Sequence, residues 1–336
     1  MKIGNIDLSK EVMIVAEIGN NHEGNYDIAK ELISLAADAG VHAVKFQTFK
    51  TEHYVTSKDK KRFNQLKSYE LSYTQFEKLS HFAAKLGLIF LSTPFDLASV
   101  DFLNNFVPVF KISSGDNTFY PLIDSIARTG KPIFLSSGFA DLNQVKKTKD
   151  FIENVWKTNN IDQNLIVLHC VAEYPVKKKN ANLKAIQTMK DYLSCDIGYS
   201  DHTIGVEAAV IAVALGAKVI EKHFTLDKNF SDFRDHNISA DPDDMKKMVE
   251  KIKQTHEILG TGKKVIQQNE LADLPFVRRS ITATRDILAN TSISKEDITW
   301  VRPGDGLAPG NEHLVIGKVS KNQILKGDII TSDNLK

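Results

Sequence analysis

The amino-acid sequence predicts a (β/α)8 barrel followed by a small β-rich domain. Eight short apolar segments alternate with amphipathic helical patterns, and no long helical pattern occurs after Arg279. Strict alternation predicts parallel strands joined by right-handed crossovers. Eight such units over about 250 residues suit a closed barrel. An open doubly wound sheet is the alternative, but no G-x-G-x-x-G pattern follows the first strand.

The strands and helices of the barrel are predicted from the period of their apolar residues. The strand candidates, each with its first residue, are MIVAEIG (Met13), AVKFQT (Ala43), IFLSTP (Ile89), VFKISS (Val109), PIFLSS (Pro132), LIVLHC (Leu165), DIGYSDH (Asp196) and VIEKHFT (Val219). The helical patterns include YDIAKELISLAADAG, YTQFEKLSHFAAKLG and DLNQVKKTKDFIENVW, and the first two end in a glycine, where a C-cap is expected. The apolar segment AAVIAVALGA, about half as long as a bilayer span, predicts a buried helix.

The predicted domains are a barrel over residues 1–260, a linker over 261–278 and a small domain over 279–336. The segment KIGNIDLS near the N-terminus predicts a short hairpin that closes the bottom of the barrel. The last part of the chain contains only short segments, such as SITATRDI and HLVIGKVS, separated by Gly, Pro and Asn. Such spacing is typical of a small β-rich domain.

The composition points to small-molecule chemistry. The chain has 336 residues, and its 43 Lys and Arg residues nearly balance its 42 Asp and Glu residues, which leaves a net charge of +1. This charge gives no electrostatic footprint for nucleic acid or an anionic membrane. With only Cys170 and Cys195, and no basic-then-apolar leader, nothing indicates secretion or a disulfide framework, so we expect a cytoplasmic protein.

Polar side chains lie where the predicted strands end, which is where barrels assemble their sites. Lys45 and Lys111 lie on two of these strands, and hydroxyl residues end the neighbouring ones, among them Thr93, Ser114, Ser136 and Ser200. Lysines among oriented hydroxyl groups predict a pocket for a phosphate or carboxylate. Alternatively, both lysines point outward or pair with Glu17 and Glu221, because buried charges need partners.

His202 and His223 end adjacent predicted strands, so their imidazoles could reach one divalent cation. Two histidines leave most coordination positions open, which suits a catalytic site better than a structural one. The alternative is a pair of hydrogen-bonded core histidines. His22 and His169 are assigned no function.

Six motifs in order, AEIGNNHEG, AVKFQTF, LSTPFD, FKISSGD, GYSDHT and EKHFT, resemble the N-acetylneuraminate (sialic acid) synthase family. The part from Arg279 onward resembles the SAF, or antifreeze-like, domain of those synthases. The resemblance covers essentially the whole chain. It implies an enzyme that condenses phosphoenolpyruvate with an N-acylated amino sugar, with Mn²⁺ or Mg²⁺ as cofactor. It also implies a homodimer in which the small domain caps the partner's active site.

The resemblance also implies a role for individual residues. Glu17 is the catalytic residue, and His202 and His223 are the metal ligands. The phosphoenolpyruvate contacts are Lys45, Thr93, Lys111, Ser114, Ser136 and Ser200. The sugar contacts are Tyr174, Asp235 and Arg302, the last delivered by the neighbouring subunit.

Two positions depart from the family pattern and bear on the acceptor sugar. Phe233 and Arg234 precede Asp235 where family members acting on N-acetylmannosamine commonly have Gly-Pro, and Ala172 replaces a polar residue of some relatives. The pocket could therefore suit another sugar, such as a legionaminic or pseudaminic acid precursor.

Two other functions compete with a synthase. Lys45, Lys111 and Lys222 lie on strands, so a Schiff-base aldolase is one alternative. By strand alternation, however, Lys222 should point away from the lumen. A non-catalytic sugar-binding protein or scaffold is the other, although a scaffold has no use for two lysines and two histidines at a barrel mouth.

Overall fold

A computed structural model describes residues 1–336 as two compact units, Met1–Gly260 and Thr261–Lys336. The first unit contains all eight strands of one parallel sheet. Residues 261–278, predicted as a linker, contain two short helices and belong to the second unit.

The first unit is the predicted (β/α)8 barrel. After a hairpin of β1 (Lys2–Ile3) and β2 (Ile6–Asp7), its parallel strands are β3 (Met13–Gly19), β4 (Ala43–Thr48), β5 (Ile89–Pro94), β6 (Phe110–Ile112), β7 (Ile133–Ser136), β8 (Leu165–Cys170), β9 (Asp196–Asp201) and β10 (Val219–His223). The ladders run in the order β5-β4-β3-β10-β9-β8-β7-β6. Contacts between β5 and β6 then close the barrel. An open doubly wound sheet is therefore wrong.

Most of the helices of the first unit cover the outside of the barrel. The first unit contains α1 (Tyr26–Asp38), α2 (Thr51–Tyr54), α3 (Lys60–Tyr69), α4 (Tyr73–Lys85), α5 (Leu97–Leu103), α6 (Tyr120–Arg128), α7 (Leu142–Thr158), α8 (Ala185–Leu193), α9 (Glu207–Ala214), α10 (Arg234–Ile238) and α11 (Pro242–Leu259). Among them, α2, α3 and α10 contribute residues to the cavity at the mouth of the barrel. Most of the helices begin at a side-chain cap. Asn25, for example, accepts the backbone N–H groups of Asp27 and Ile28, two of the donors that the first turn leaves free.

Two apolar cores follow from the alternation of side chains along the strands. One face of the strands packs against the helices through residues such as Ile14, Phe46 and Ile220. The other face fills the lower part of the barrel, where Ile3 and Ile6 of the hairpin pack against it. The prediction that KIGNIDLS closes the bottom of the barrel is confirmed.

Two details differ from the predicted elements. The fourth barrel strand is shorter than predicted, since β6 ends at Ile112 and a 3-10 turn follows over Ser114–Asp116. The predicted buried helix, α9, is buried on one side only: Ala212 is buried, whereas Ile211 is half exposed. An apolar run without periodicity does not reveal which side faces solvent.

The second unit has its own small core and little regular structure. It contains α12 (Gln268–Leu271), α13 (Leu274–Val277) and one antiparallel pair, β11 (Ser280–Ala283) with β12 (Ile298–Val301). Ile281, Ile287 and Val315 are among its buried residues. Across both units, no helix combines the length and the apolar character needed to cross a membrane.

Candidate active site

A cavity of about 850 Å³ opens at the carboxyl ends of the barrel strands. All the site residues predicted within the barrel line it: Glu17, Lys45, Thr93, Lys111, Ser114, Ser136, Tyr174, Ser200, His202, His223 and Asp235. Parallel strands in a barrel bring their ends to one face, which is why residues far apart in the chain meet here.

The strand register places the charged residues in rows. Glu17 of β3 lies between Lys45 of β4 and His223 of β10, because both are its register partners. Glu221, two residues before His223 on the same face, is the register partner of Ser200 on β9. The pairing of β3, β4, β9 and β10 therefore makes Glu17, Lys45, Glu221, His223 and Ser200 neighbours.

Four buried charged groups form the floor of the cavity. Lys45 Nζ lies 2.6 Å from Glu17 Oε2 and 3.7 Å from Glu221 Oε2. Lys111 Nζ lies 2.9 Å from Glu221 Oε1. The predicted alternative, in which the lysines pair with these two carboxylates, is what the structure has, yet both ammonium groups also face the cavity.

The pKa values of Glu17 and Glu221 are shifted in opposite directions. Burial raises the pKa of Glu17 to about 7, and Lys45 offsets this only in part, while the negative charge of Glu221 adds to it. Burial also opposes ionisation of Glu221, but Lys111 and Lys45 outweigh it and bring its pKa to about 2. Near neutral pH, Glu221 is the fixed counter-ion, and Glu17 is the carboxylate able to exchange a proton.

Hydroxyl groups surround the ammonium groups. Lys45 Nζ donates to Thr93 Oγ1 at 3.1 Å, and Ser200 Oγ donates to Glu221 Oε1 at 3.0 Å. Ser114 Oγ accepts the backbone N–H of Gly138 at 3.1 Å. Ser136 Oγ is buried and has no hydrogen-bond partner. A buried hydroxyl without a partner in a cavity lined by lysines suits an anionic ligand that accepts its proton.

The two histidines lie side by side, with ring centroids 5.4 Å apart. His202 Nδ1 lies 2.8 Å from the carbonyl oxygen of Val171, which can only accept, so Nδ1 carries the proton. Nε2 of the same ring then accepts from the Tyr174 hydroxyl at 3.0 Å. His223 Nδ1 is buried and has no partner.

These side chains would fit a divalent cation once the Tyr174 hydroxyl releases Nε2 of His202, the only nitrogen of that ring with a lone pair. Burial lowers the pKa of His202, and burial together with the neighbouring His202 holds the pKa of His223 well below its usual range, so both imidazoles are neutral, the form in which histidine binds metal ions. No group of three or more His, Cys, Asp and Glu side chains in the chain is placed to hold a metal ion. A cation at this pair would therefore take its other ligands from water or substrate oxygens.

The outer wall of the cavity contains Phe233 and Arg234, the departures from the family pattern, together with aromatic residues that had been assigned no role. Arg234 stacks on Tyr174, with its guanidinium carbon 4.7 Å from the ring centroid, and pairs with Asp235 at 3.3 Å. Phe233 packs edge-on against Tyr69, at 5.2 Å between ring centroids. Phe139 lies on the rim with 82% of its surface exposed.

The length of one strand-to-helix connection in the sequence could have predicted part of this outer wall. The connection between β4 and α4 contains α2 and α3, and Tyr54, Arg62 and Tyr69 of this insertion line the cavity. Long βα connections in barrels commonly build the site, so the length of this one pointed to it.

The remaining predicted site residue, Arg302, belongs to the second unit. It is exposed, and its Nε donates to the carbonyl oxygen of Val277 at 2.9 Å. The rest of its guanidinium group makes no hydrogen bond within that unit.

Lysines, carboxylates and neutral histidines meet in one cavity at the strand ends of this (β/α)8 barrel. Barrel enzymes place their active sites there, so the site is that of a barrel enzyme. The chain belongs to the NeuB family: the model of that family matches residues 32–264, and the SAF domain model matches residues 278–336. The predicted synthase family and the predicted SAF domain are both confirmed. The chain is therefore an enzyme of a family whose members include sialic, legionaminic and pseudaminic acid synthases.

Three similar proteins illustrate the relationship. An uncharacterized protein of Methanocaldococcus jannaschii is 42% identical over 100% of this chain and 98% of its own length. The N,N'-diacetyllegionaminic acid synthase of Campylobacter jejuni is 38% identical over 96% of this chain and 99% of its own length. The crystal structure of the N-acetylneuraminic acid (sialic acid) synthetase of Leptospira borgpetersenii, in complex with citrate, is 34% identical, with a TM-score of 0.76, and covers 81% of this chain and 94% of that one.

Proposed function

We propose that this enzyme condenses phosphoenolpyruvate with an N-acylated amino sugar and releases phosphate and a nonulosonic acid. The observation that carries the proposal is the row formed by His223, Glu17 and Lys45, with Lys111 facing the same cavity. It puts an anion-binding pair of lysines next to a proton-exchanging carboxylate and a pair of neutral imidazoles. A condensation between an anionic and a carbonyl substrate needs these groups together.

The lysines and hydroxyl groups hold the anionic substrate. Lys45 and Lys111 supply charge, and Ser136 supplies a hydroxyl that has no partner within the protein. C3 of phosphoenolpyruvate forms a bond to the aldehyde carbon of the open-chain sugar as the C=O π bond breaks, so that the aldehyde oxygen takes up a proton and C2 becomes electron-poor. Water adds to C2, and the new C2 hydroxyl loses its proton and becomes the keto group as cleavage of the C2–O bond releases phosphate.

Glu17 positions the water and takes its proton. A general base works best when its pKa lies near the working pH, and the pKa of about 7 at Glu17 meets that condition. Glu221, with its pKa of about 2, stays ionised and holds the two lysines in place.

We also propose that His202 and His223 hold a divalent cation, Mn²⁺ or Mg²⁺. Bound there, it would act as a Lewis acid toward the carbonyl oxygen of the acceptor. The support is the neutral state of both rings and the unpartnered Nδ1 of His223.

For the acceptor we propose a diacetamido 6-deoxy hexose. The similar enzyme of Campylobacter jejuni is named for a product with two N-acetyl groups. Phosphoenolpyruvate contains no nitrogen, so such groups must enter with the sugar. The aromatic and aliphatic side chains of Leu66, Tyr69, Phe139 and Phe233 on the outer wall suit acetyl and deoxy methyl groups better than additional hydroxyl groups.

The test is a phosphate-release assay with phosphoenolpyruvate, Mn²⁺ and a panel of acceptors. We expect release with diacetamido 6-deoxy hexoses, at least tenfold weaker release with N-acetylmannosamine, loss on chelation, and recovery with Mn²⁺. His223→Ala should weaken Mn²⁺ binding about tenfold or more, since it removes one of two protein ligands. Release that is unaffected by a chelator would contradict the metal site, and absence of release with every sugar would contradict the synthase.

An aldolase is the second candidate, because burial lowers the pKa of Lys111, the property that a Schiff-base lysine needs. The ion pair with Glu221 acts against it by holding the ammonium form. Borohydride in the presence of pyruvate should therefore add no mass to the protein. A pyruvate adduct on Lys111 would favour the aldolase.

We further propose a cytoplasmic homodimer in which the second unit of one protomer caps the partner's cavity. The support for a dimer is the exposure of large apolar side chains along residues 258–277, among them Ile258, Val265 and Phe276. Such a run needs a protein surface to cover it. Arg302, whose guanidinium group is mostly free, would then reach the sugar in the partner's site.

A subunit-mixing experiment tests this arrangement. Glu17→Gln and Arg302→Ala should each have little activity alone, and mixed dimers should recover up to about a quarter of wild-type activity, since a hybrid has one intact site. Each variant mixed with itself is the control. Verified hybrids without activity would place Arg302 in its own protomer's site.

A further inference from the structure

Behind the two histidines, on the opposite face of their strands, lies a buried ion pair that the chemistry above does not use. Asp201 is fully buried and Lys222 is 1% exposed, and Lys222 Nζ lies 3.1 Å from Asp201 Oδ2. Lys222 Nζ also donates to the carbonyl oxygen of Thr203. The two residues are direct register partners on β9 and β10.

The pair interrupts an otherwise apolar layer. Ile220, Lys222 and Phe224 share one face of β10, and both apolar neighbours belong to the core between sheet and helices. Tyr199, which shares the outward face of β9 with Asp201, belongs to that core too. An apolar pair could fill these positions at similar or better stability, so stability alone does not account for two charges here.

One oxygen of the Asp201 carboxylate accepts hydrogen bonds from Tyr199 and Thr203, which lie close to it in the chain. Its Oδ1 accepts the Tyr199 hydroxyl at 3.1 Å, the Thr203 backbone N–H at 2.8 Å and the Thr203 hydroxyl at 2.8 Å. Oδ2 takes Lys222. The carboxylate therefore fixes the chain on both sides of His202.

Lys222 links the backbone around His202 to the strand that carries His223. It immediately precedes His223, and its ammonium group joins β10 to the carboxylate and carbonyl that flank His202. The backbone beyond each histidine is held as well, because Val176 N donates to His202 O at 2.9 Å and Phe224 N donates to Glu17 O at 2.8 Å.

We infer that the Asp201–Lys222 pair is a positioning device that sets the spacing of His202 and His223 for a shared cation. The inference rests on the metal site proposed above. It makes Asp201 and Lys222 positioning residues, since neither lines the cavity. It also explains why Lys222 is no Schiff-base nucleophile.

The experiment measures Mn²⁺ binding without substrates, from the free-Mn²⁺ electron paramagnetic resonance signal. The main variant is Asp201→Asn with Lys222→Met, which keeps an acceptor for Tyr199 and Thr203 but removes both charges. We expect it to unfold near the wild-type temperature and to bind Mn²⁺ about 10- to 100-fold more weakly, the usual effect of losing a residue that orients a metal ligand.

The matched control is Lys50→Met with Glu70→Gln, which removes another ion pair, at 3.0 Å, that is partly buried and away from the histidine strands. It should leave Mn²⁺ affinity unchanged. Tyr199→Phe, which removes one hydroxyl from Asp201, gives a second test if the double variant does not fold, with an expected loss of about threefold or more.

The outcomes separate this inference from the proposed function. Wild-type affinity in the folded double variant, or in Tyr199→Phe if that variant has to be used, would overturn the positioning role and leave the metal site intact. Failure of the wild-type protein to bind Mn²⁺ would overturn both the positioning role and the metal site. If the Lys50 and Glu70 control weakened Mn²⁺ binding to the same extent, the loss would be a general effect of removing ion pairs, and the positioning role would be overturned.

Discussion

Lys111→Met should lower kcat/KM for phosphoenolpyruvate by about a hundred- to a thousandfold. Lys111 is 4% exposed and donates to Glu221 at 2.9 Å, so the substitution removes a cation that binds the substrate. It leaves the buried Glu221 carboxylate with the Ser200 hydroxyl at 3.0 Å and only a longer contact, 3.7 Å, to a cation, Lys45. Truncating one member of a buried charge pair costs about 2–5 kcal/mol, and each 1.4 kcal/mol is tenfold. Steady-state phosphate release measures the effect.

A double variant separates binding from folding. Lys111→Met with Glu221→Gln removes the unpaired charge, so its thermal stability should return toward that of the wild type, whereas kcat/KM should not. Recovery of activity in the double variant would mean that Lys111 serves only to neutralise Glu221.

Glu17→Gln should lower kcat by about 10²- to 10⁴-fold, the range for loss of a general base. In the wild type, kcat/KM should rise with pH through about 7, because burial raises the pKa of Glu17 to that value and the ionised form is the base. The rise should be absent from the residual activity of Glu17→Gln. A wild-type pH profile in this variant would assign the base to another group.

The same shift has a defined effect on stability. Between the ordinary value of 4.5 and about 7, folded Glu17 binds more protons than it does when unfolded, so stability falls as the pH rises through this window. Glu17→Gln should flatten the fall in thermal unfolding scans. Glu77→Gln, a change at an exposed position of α4, is the control that should not.

The sequence predicted the barrel because each strand is a short apolar run followed by a helical period, and these patterns are local. It predicted the inner part of the site for a related reason: in parallel strands, a residue near the carboxyl end faces the same mouth whichever strand it belongs to. Glu17, Lys45 and His223 could thus be placed together without coordinates.

The rest depended on packing that no local pattern encodes. That Lys111 would pair with Glu221 and Lys45 with Glu17 is a matter of rotamers and of which carboxylate lies nearer. Phe233 was identified as bearing on the acceptor sugar, but its contact with Tyr69 was not predicted, because the two residues are far apart in the chain and meet through loops. Loop conformations follow tertiary context more than sequence period.

The carboxylate that joins the two lysines has a consequence for selectivity among anions. Because Glu221 contacts both ammonium groups and Glu17 pairs with Lys45, an incoming anion must compete with tethered carboxylates of high effective concentration. Chloride or sulfate gains little from that exchange, whereas a substrate with both a carboxylate and a phosphate can engage several donors at once. In the proposed reaction, the floor of the cavity would thereby be protected from background salt, and phosphate, with one anionic group where phosphoenolpyruvate has two, would engage fewer donors and depart more readily.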